Sequence, residues 1–322
     1  MSHILVTGAG GFIGSHLVRT LKAQGHRVRG VDVKRPEFWE TAADDFQVAD
    51  LRDMDNCLKA LRDVDDVYQL AADMGGIQYI TEKRAQVAKN NVLINANMLE
   101  AARQMFLPRY LYTSSACVYP SFRQVDPEAT GLKEADAIPA DPERGYGWEK
   151  LFSEQMTAEY AADHKLPVRI VRFHNIYGER GTYEGGREKA PAALCRKVAE
   201  TPDGGEIEVW GDGKQTRTFC HVDDCVAGLI RIMESGCETP VNLGTEELVT
   251  VDELVAMVAK AAGKTIGIRH DTSRPQGVRG RNSDNSFLAK ITGWQPKITL
   301  EQGLARLYPW VHGELAKQGR AR

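Results

Sequence analysis

Seven residues near the start of the chain, Gly8-Ala9-Gly10-Gly11-Phe12-Ile13-Gly14, restrict the possible folds more than any other stretch. The apolar run Ile4-Leu5-Val6-Thr7 before them reads as a buried parallel strand, and Ile13, Leu17, Val18 and Leu21 after them share one helix face. A strand that turns at once into a helix needs glycine where backbone meets backbone, and Gly8, Gly11 and Gly14 form G-x-x-G-x-x-G. The first amides of such a helix have no partner within it and attract an anion, so Gly8, Gly11, Phe12, Ile13 and Gly14 are candidates to hold a pyrophosphate. A second strand, Val28 to Val31, runs into Asp32. A carboxylate there accepts hydrogen bonds from ribose hydroxyls and repels a 2′-phosphate, so the predicted cofactor is NAD, with Lys34 and Arg35 offsetting part of that charge.

The alternation continues. Phe46-Gln47-Val48 is a strand followed by Asp50 and Leu51, and Val67 to Ala72 is another, ending in Leu70, Ala71 and Ala72 before Asp73-Met74-Gly75-Gly76. A helix is predicted from Thr81 to Gln104, carrying Asn90, Asn91 and Asn95, and then a strand from Tyr110 to Thr113 that delivers Ser114-Ser115-Ala116-Cys117. A helix from Tyr146 to Ala162 and a sixth strand, Val168 to Phe173, complete the regular part. The fold class is therefore α/β, a Rossmann-type doubly wound parallel sheet that binds ligands beyond the carboxyl ends of its strands. After Phe173 the pattern loosens into a charged loop from Gly178 to Gly186, a helix from Ala190 to Ala199, the turn Trp210-Gly211-Asp212-Gly213 and a helix from Asp223 to Glu234. These predict a smaller, interleaved C-terminal substrate-binding lobe. We expect residues 1–175 to form the NAD-binding domain, with 218–246 returning to it, and 176–322 to form mainly the second lobe.

Composition narrows the function by exclusion. A formal charge of -3 over 322 residues, with no long Lys/Arg block, argues against a nucleic-acid partner or a membrane-surface helix. No apolar run approaches the length of a membrane span, and the first apolar strand begins too early for a secretory leader, so a cytoplasmic location is expected. Cys57, Cys117, Cys195, Cys220, Cys225 and Cys237 lack paired C-x-x-C spacing, and Cys220-His221-Val222-Asp223-Asp224-Cys225 has no second ligand cluster, so no metal is expected.

Chemistry enters with Tyr146-Gly147-Trp148-Glu149-Lys150, which sets a phenol and an ammonium one helical turn apart on the same face. A neighbouring Lys charge and a cationic nicotinamide both favour the phenolate, so Tyr146 is a candidate base near neutrality. The order of Gly-rich turn, Ser114-Ser115-Ala116-Cys117 and Tyr-x-x-x-Lys resembles the extended short-chain dehydrogenase/reductase family. Many of its sugar-nucleotide enzymes carry Ser/Thr-x-x-x-Val-Tyr after the same strand, and its 4,6-dehydratases place an Asp-Glu pair inside it. This chain has Ala116-Cys117 there. A thiol, with an ordinary pKa of about 8.5, suits proton exchange at carbon better than departure of a hydroxyl.

Further segments are similar to the members of that family that epimerise GDP-mannose at C3 and C5. They are Gly185-Gly186-Arg187-Glu188-Lys189-Ala190-Pro191-Ala192, Asp73 to Gly76, Arg172 to Gly178, Gln215-Thr216-Arg217 and Gly277 to Asp284. The resemblance covers nearly the whole chain. It implies that Tyr146, assisted by Lys150 and Ser115, takes the C4 hydroxyl proton while the C4 hydride passes to NAD. The ketone acidifies the flanking C–H bonds, and Cys117 with Lys189 exchanges protons at C5 and C3 before the ketone is reduced again. It also implies that Asp50 and Leu51 meet the adenosine. Gly75, Ser115, Ala116, Cys117, Asn175, Glu188, Lys189, Ala190, Lys197, Gln215, Thr216, Arg217 and one of Arg279 or Arg281 would contact a nucleotide sugar, and a homodimer would form through the helices near 81–104 and 146–162. A 4-epimerase and a catalytically silent nucleotide-binding regulator are the competing readings. The first has no use for a carbon acid/base pair, and the second has no use for an intact Tyr146, Lys150, Cys117 and Lys189.

Overall fold

In the computed structural model, which describes residues 1–128, 130–274 and 277–322, strand β1 (His3–Thr7) feeds helix α1 (Phe12–Ala23), and β2 (Arg27–Asp32) and β3 (Asp45–Val48) follow. Helix α2 (Met54–Ala60) leads to β4 (Asp66–Gln69). Helices α3 (Ile77–Glu82) and α4 (Arg84–Gln104) lead to β5 (Arg109–Ser115), and α5 (Tyr146–His164) leads to β6 (Val168–Phe173). Then come β7 (Ile176–Tyr177), α6 (Ala190–Glu200), β8 (Glu206–Trp210), β9 (Thr216–Arg217), β10 (Cys220–His221), α7 (Val222–Glu234) and β11 (Pro240–Leu243). The chain closes with β12 (Val249–Thr250), α8 (Val251–Ala262), β13 (Gly267–Asp271), β14 (Gly280–Arg281), α9 (Ser286–Thr292) and α10 (Leu300–Lys317).

The central seven-stranded sheet runs β11-β6-β5-β4-β1-β2-β3, with every pairing parallel. Strand order reverses between β1 and β4, which opens a crevice beyond their carboxyl ends. Apolar layers cover both faces, as a parallel sheet requires. Leu17, Val18 and Leu21 of α1 pack with Val226, Leu229 and Met233 of α7 on one side, and Cys57, Leu61, Met98 and Leu99 lie with Tyr110 and Ile170 on the other. Each fully buried leucine contributes about 1.5–3 kcal/mol. Pro240 opens edge strand β11, where a missing backbone donor is tolerated.

Helices α6, α8 and α10 pack around Leu194, Cys195, Val198, Leu254, Val258, Leu304, Leu307 and Val311, with β8 paired to β13 beside them. A separate sheet, β12-β9-β14, brings Thr216 opposite Gly280 and Arg217 opposite Arg281.

Several boundaries differ from the sequence reading by a residue or two, and two differ by more than that. The helix expected over Thr81 to Gln104 is two helices, broken at Lys83 (φ -112°, ψ 29°), because Tyr79 Oη donates to Asp73 Oδ1 at 2.7 Å and folds the short α3 back over the loop after β4. The strand expected to reach Ala72 stops at Gln69, because the Leu70 and Ala71 amides turn to Thr7 Oγ1, each at 3.0 Å.

Candidate active site

The glycine turn explains its own composition. Gly8 has φ +67°, and a Cβ on Gly14 would lie 2.2 Å from the Gly8 carbonyl oxygen, while one on Gly10 would lie 2.0 Å from the Lys34 oxygen. No side chain caps α1, so Gly11, Phe12, Ile13 and Gly14 present first-turn amides to an anion. Asp32 Oδ2 accepts from Gly10 N at 2.9 Å and Oδ1 from Lys34 N at 3.2 Å, which leaves lone pairs for a diol. Burial raises its carboxyl pKa, opposed by those backbone amides. Leu70 and Ala71 back directly onto Gly8, and Ala72 continues beside them. Asp50 accepts from Arg52 N and Nε, both at 3.0 Å. The Leu51 side chain is buried in the core, so only its main chain is available to a ligand. This cradle of close backbone, free amides and a ribose-level carboxylate fits NAD.

Tyr146 begins α5 and is 4% exposed; Lys150, one turn on, is 2% exposed. Lys150 Nζ donates to Thr113 O at 3.0 Å and lies 5.7 Å from the Tyr146 ring centroid. Its charge is not what dominates the phenol. Burial drives Tyr146 well above the ordinary phenol value, Cys117 and Glu149 add to that, and Ser115 opposes it. Burial likewise lowers the Lys150 pKa, with Glu149 and Glu154 supporting its charge. The phenolate therefore depends on further positive charge brought in beside it.

After β5 a single 3₁₀ turn, Ala116–Val118, holds the thiol: Ser115 Oγ accepts from Cys117 N at 3.2 Å, and Ala116 is buried at 2%. Burial pushes the Cys117 thiol up and the Glu143 charge adds to it, while Arg281, Ser115 and Lys189 pull it down. Lys189 is the N-cap of α6 with no side-chain cap, and desolvation lowers its ammonium pKa, with Arg281 acting the same way and Cys117 and Glu143 opposing. The loop before it abuts the Asp73 segment, since a Cβ on Gly76 would lie 2.7 Å from the Glu188 oxygen and one on Gly75 3.0 Å from Arg187 Cγ. Arg187 lies 3.8 Å over the Tyr79 ring.

The remaining candidates divide into groups that converge on the thiol and groups that frame the lobe. Arg281 is buried, donates to Gln124 Oε1 at 2.5 Å and points Nη1 at Cys117 Sγ, 3.5 Å away. Arg217 donates to the Thr216 and Val278 carbonyls, both at 2.7 Å. Among the described residues neither Arg217 nor Arg281 has a carboxylate partner, and burial together with Arg281 lowers the Arg217 pKa. Two such like charges without a carboxylate counterion could hold a diphosphate. Arg279, the other arginine left open by the sequence, pairs instead with Asp212 at 2.9 Å. Gln215 Nε2 donates to Trp210 O at 3.1 Å, and among the described residues its buried Oε1 and the buried Glu188 Oε2 have no hydrogen-bond partner. Asn175 (φ +45°) donates to Thr218 O, Lys197 donates to Glu208 O at 2.6 Å, Thr216 Oγ1 donates to Pro127 O, and Ala190 starts α6.

Sequence reasoning missed the support beneath this surface. Glu154 sits one turn after Lys150 on the same face of α5 and takes both Arg172 Nε (2.9 Å) and Nη2 (2.7 Å), while Ser114 Oγ donates to it at 2.5 Å. The i, i+4 spacing of 146, 150 and 154 was the signal available. Asn91 links Glu149 Oε1 (2.7 Å) to the Asp73 carbonyl (3.1 Å), and burial raises the Glu149 carboxyl to about 7. Glu143, whose charge reaches both Cys117 and Lys189, carried no sequence signal. Among the described residues no cluster of metal-ligating side chains occurs, and no helix is long and apolar enough to cross a membrane.

A family model described as the NAD dependent epimerase/dehydratase family matches residues 4–244. GDP-mannose 3,5-epimerase of Arabidopsis thaliana is 46% identical over 317 residues, covering 98% of this chain and 83% of that protein. The UDP-glucose 4-epimerase of Thermotoga maritima, solved with UDP-glucose, superposes with a TM-score of 0.88 at 25% identity, covering 97% of this chain and 99% of that one. The UDP-glucose 4-epimerase of Thermus thermophilus, solved with NAD, gives a TM-score of 0.85 at 26% identity over 97% of this chain and 99% of that one.

Proposed function

The chain belongs to the NAD-dependent epimerase/dehydratase family, and from that membership we propose that it epimerises GDP-mannose at C3 and C5, yielding GDP-L-galactose, with GDP-L-gulose as the product of inversion at C5 alone. The observation that carries this reading is the buried thiol of Cys117 with Arg281 Nη1 at 3.5 Å, on the strand end that also bears Ser115. A 4-epimerase has no use for a carbon acid/base there.

NAD, when bound, supplies a reversible acceptor for the C4 hydride. Gly8, Gly11, Phe12, Ile13 and Gly14 hold its pyrophosphate, and Asp32 holds its adenosine ribose. Tyr146 takes the C4 hydroxyl proton and returns it, with Lys150 providing positive charge beneath the phenol and Ser115 a hydroxyl beside it. Once C4 is a ketone, the C5 and C3 hydrogens become acidic, and Cys117 and Lys189 exchange them from opposite faces of the ring. Arg217 and Arg281 hold the diphosphate, while Gln215, Thr216, Asn175 and Lys197 frame the nucleoside. Residues 1–175 with 218–246 serve the cofactor and 176–322 mainly the sugar nucleotide, a division supported by β11 extending the central sheet and α7 packing beside α1.

The reading includes a cytoplasmic homodimer. Exposed Trp148 (49%) and Phe152 (54%) on α5 and Leu93 (39%) on α4 support burial of that face against a second copy, and the free buried thiols suit a reducing compartment. Sedimentation should give the mass of two chains, falling to one when Trp148 and Phe152 are both changed to Glu.

Incubation with GDP-mannose, UDP-glucose and a dTDP-sugar in turn, followed by identification of each product, tests the function. GDP-mannose should be converted and the others left intact. Conversion of UDP-glucose to its C4 epimer, with GDP-mannose untouched, would replace this reading by a 4-epimerase.

A further inference from the structure

On the epimerase reading, on which this inference rests, inverting two carbons makes a demand that Cys117 and Lys189 cannot meet by themselves. In mannopyranose the C3 and C5 hydrogens lie on the same face of the ring. Whichever of the two side chains takes the C5 proton must therefore also take the C3 proton, and the other must deliver twice. After the first inversion the base is protonated, the acid is spent, and the sugar stands between them. A third group has to carry a proton across before the second inversion begins.

We propose that Glu143 is that relay, acting through Cys117 and Lys189 without itself touching the reacting carbons. Its backbone N donates to the Cys117 carbonyl at 3.1 Å. The same contact excludes a side chain from the first turn of α5, because a Cβ on Gly147 would lie 2.3 Å from that carbonyl oxygen and 3.1 Å from Glu143 Cβ. The loop bearing Glu143, the thiol segment and the start of α5 are thus packed together. The Glu143 side chain is half-buried, and among the described residues its carboxylate takes no hydrogen bond and no ion pair. Its charge acts on both members of the pair and reaches Tyr146 and Arg217 as well. Glu154 is held by Arg172, and Asp73 by Tyr79 and Asn90, while Glu149 on Asn91 and Glu188 near Arg196 each keep one buried oxygen without a hydrogen bond among the described residues.

With Cys117 as base, the S–H bond breaks as an O–H bond forms on Glu143, and that O–H bond breaks as an N–H bond forms on Lys189. Thiolate, carboxylate and ammonium are restored and no electrons change hands. With Lys189 as base, the same chain runs in reverse.

The test compares wild type, Glu143→Gln and Glu143→Asp on GDP-mannose, following singly and doubly inverted products with time. The Gln variant should still invert C5 but accumulate GDP-L-gulose, its ratio of double to single inversion falling by about tenfold or more. The Asp variant, which keeps a carboxylate, should recover double inversion at least in part. A Gln variant with the wild-type ratio, or one that loses both products in parallel, overturns the relay. Failure of the wild type to epimerise GDP-mannose overturns the functional reading, and the inference with it, and is distinguishable from both.

Discussion

Arg281 Nη1 stands 3.5 Å from Cys117 Sγ, although 164 residues separate the two in sequence. The contact sets a guanidinium against a thiol whose pKa burial raises, and Arg281 is a group that pulls it back. Removing the guanidinium leaves burial less opposed, so the thiol pKa rises further. In Arg281→Gln, the limb of proton exchange at carbon that requires thiolate should move to higher pH. Exchange of deuterium into the sugar, measured across pH, checks this; an unshifted limb would separate Arg281 from the thiol's ionisation.

Tyr146→Phe removes the proton acceptor proposed at C4 but none of the phosphate cradle. Turnover should fall by about 100-fold to 10,000-fold while NAD stays bound, as read by turnover rate and by the cofactor content of the purified protein. A Phe variant that keeps most of its activity would contradict the role given to the phenol.

Asp32→Ala deletes the carboxylate that accepts from the Gly10 amide at 2.9 Å and is proposed to hold the ribose. A hydrogen bond to a charged group contributes about 1.5–3 kcal/mol, so NAD should bind roughly 10-fold to 100-fold more weakly while the product stays the same. Titration of NAD onto the apoprotein checks the first expectation and product identification the second.

Glu154 and Arg172 are 1% and 4% exposed as side chains and joined at 2.7 Å. Changing Glu154 to Ala strands a buried guanidinium and should cost about 3–5 kcal/mol of stability, measurable by denaturant unfolding. A loss within experimental error would show that the cation finds another partner.

Much of the fold was legible because the glycine turn, Asp32 and the alternating apolar runs each report a local backbone requirement. The same locality explains what was missed. The break at Lys83 depends on Tyr79 reaching Asp73, and the choice of Arg281 over Arg279 depends on β14 lying beside β9, which no spacing within Gly277 to Asp284 reveals. Glu143 was invisible for the same reason, since its neighbours come from three separate segments. Helical spacing identifies Lys150 as a charge beside Tyr146, but spacing carries no information about burial, and burial dominates the phenol.

Epimerisation at carbons flanking a transient ketone is the central claim, and turnover of GDP-mannose in D2O tests it most directly. The product should carry deuterium at C5 and, in the doubly inverted fraction, at C3, where protium relayed from the substrate dilutes it, with C4 unlabelled, because on the proposed mechanism protons at C5 and C3 exchange through Cys117 and Lys189 while the C4 hydride is kept and returned. Deuterium at neither C5 nor C3, or a product inverted at C4, would contradict the account.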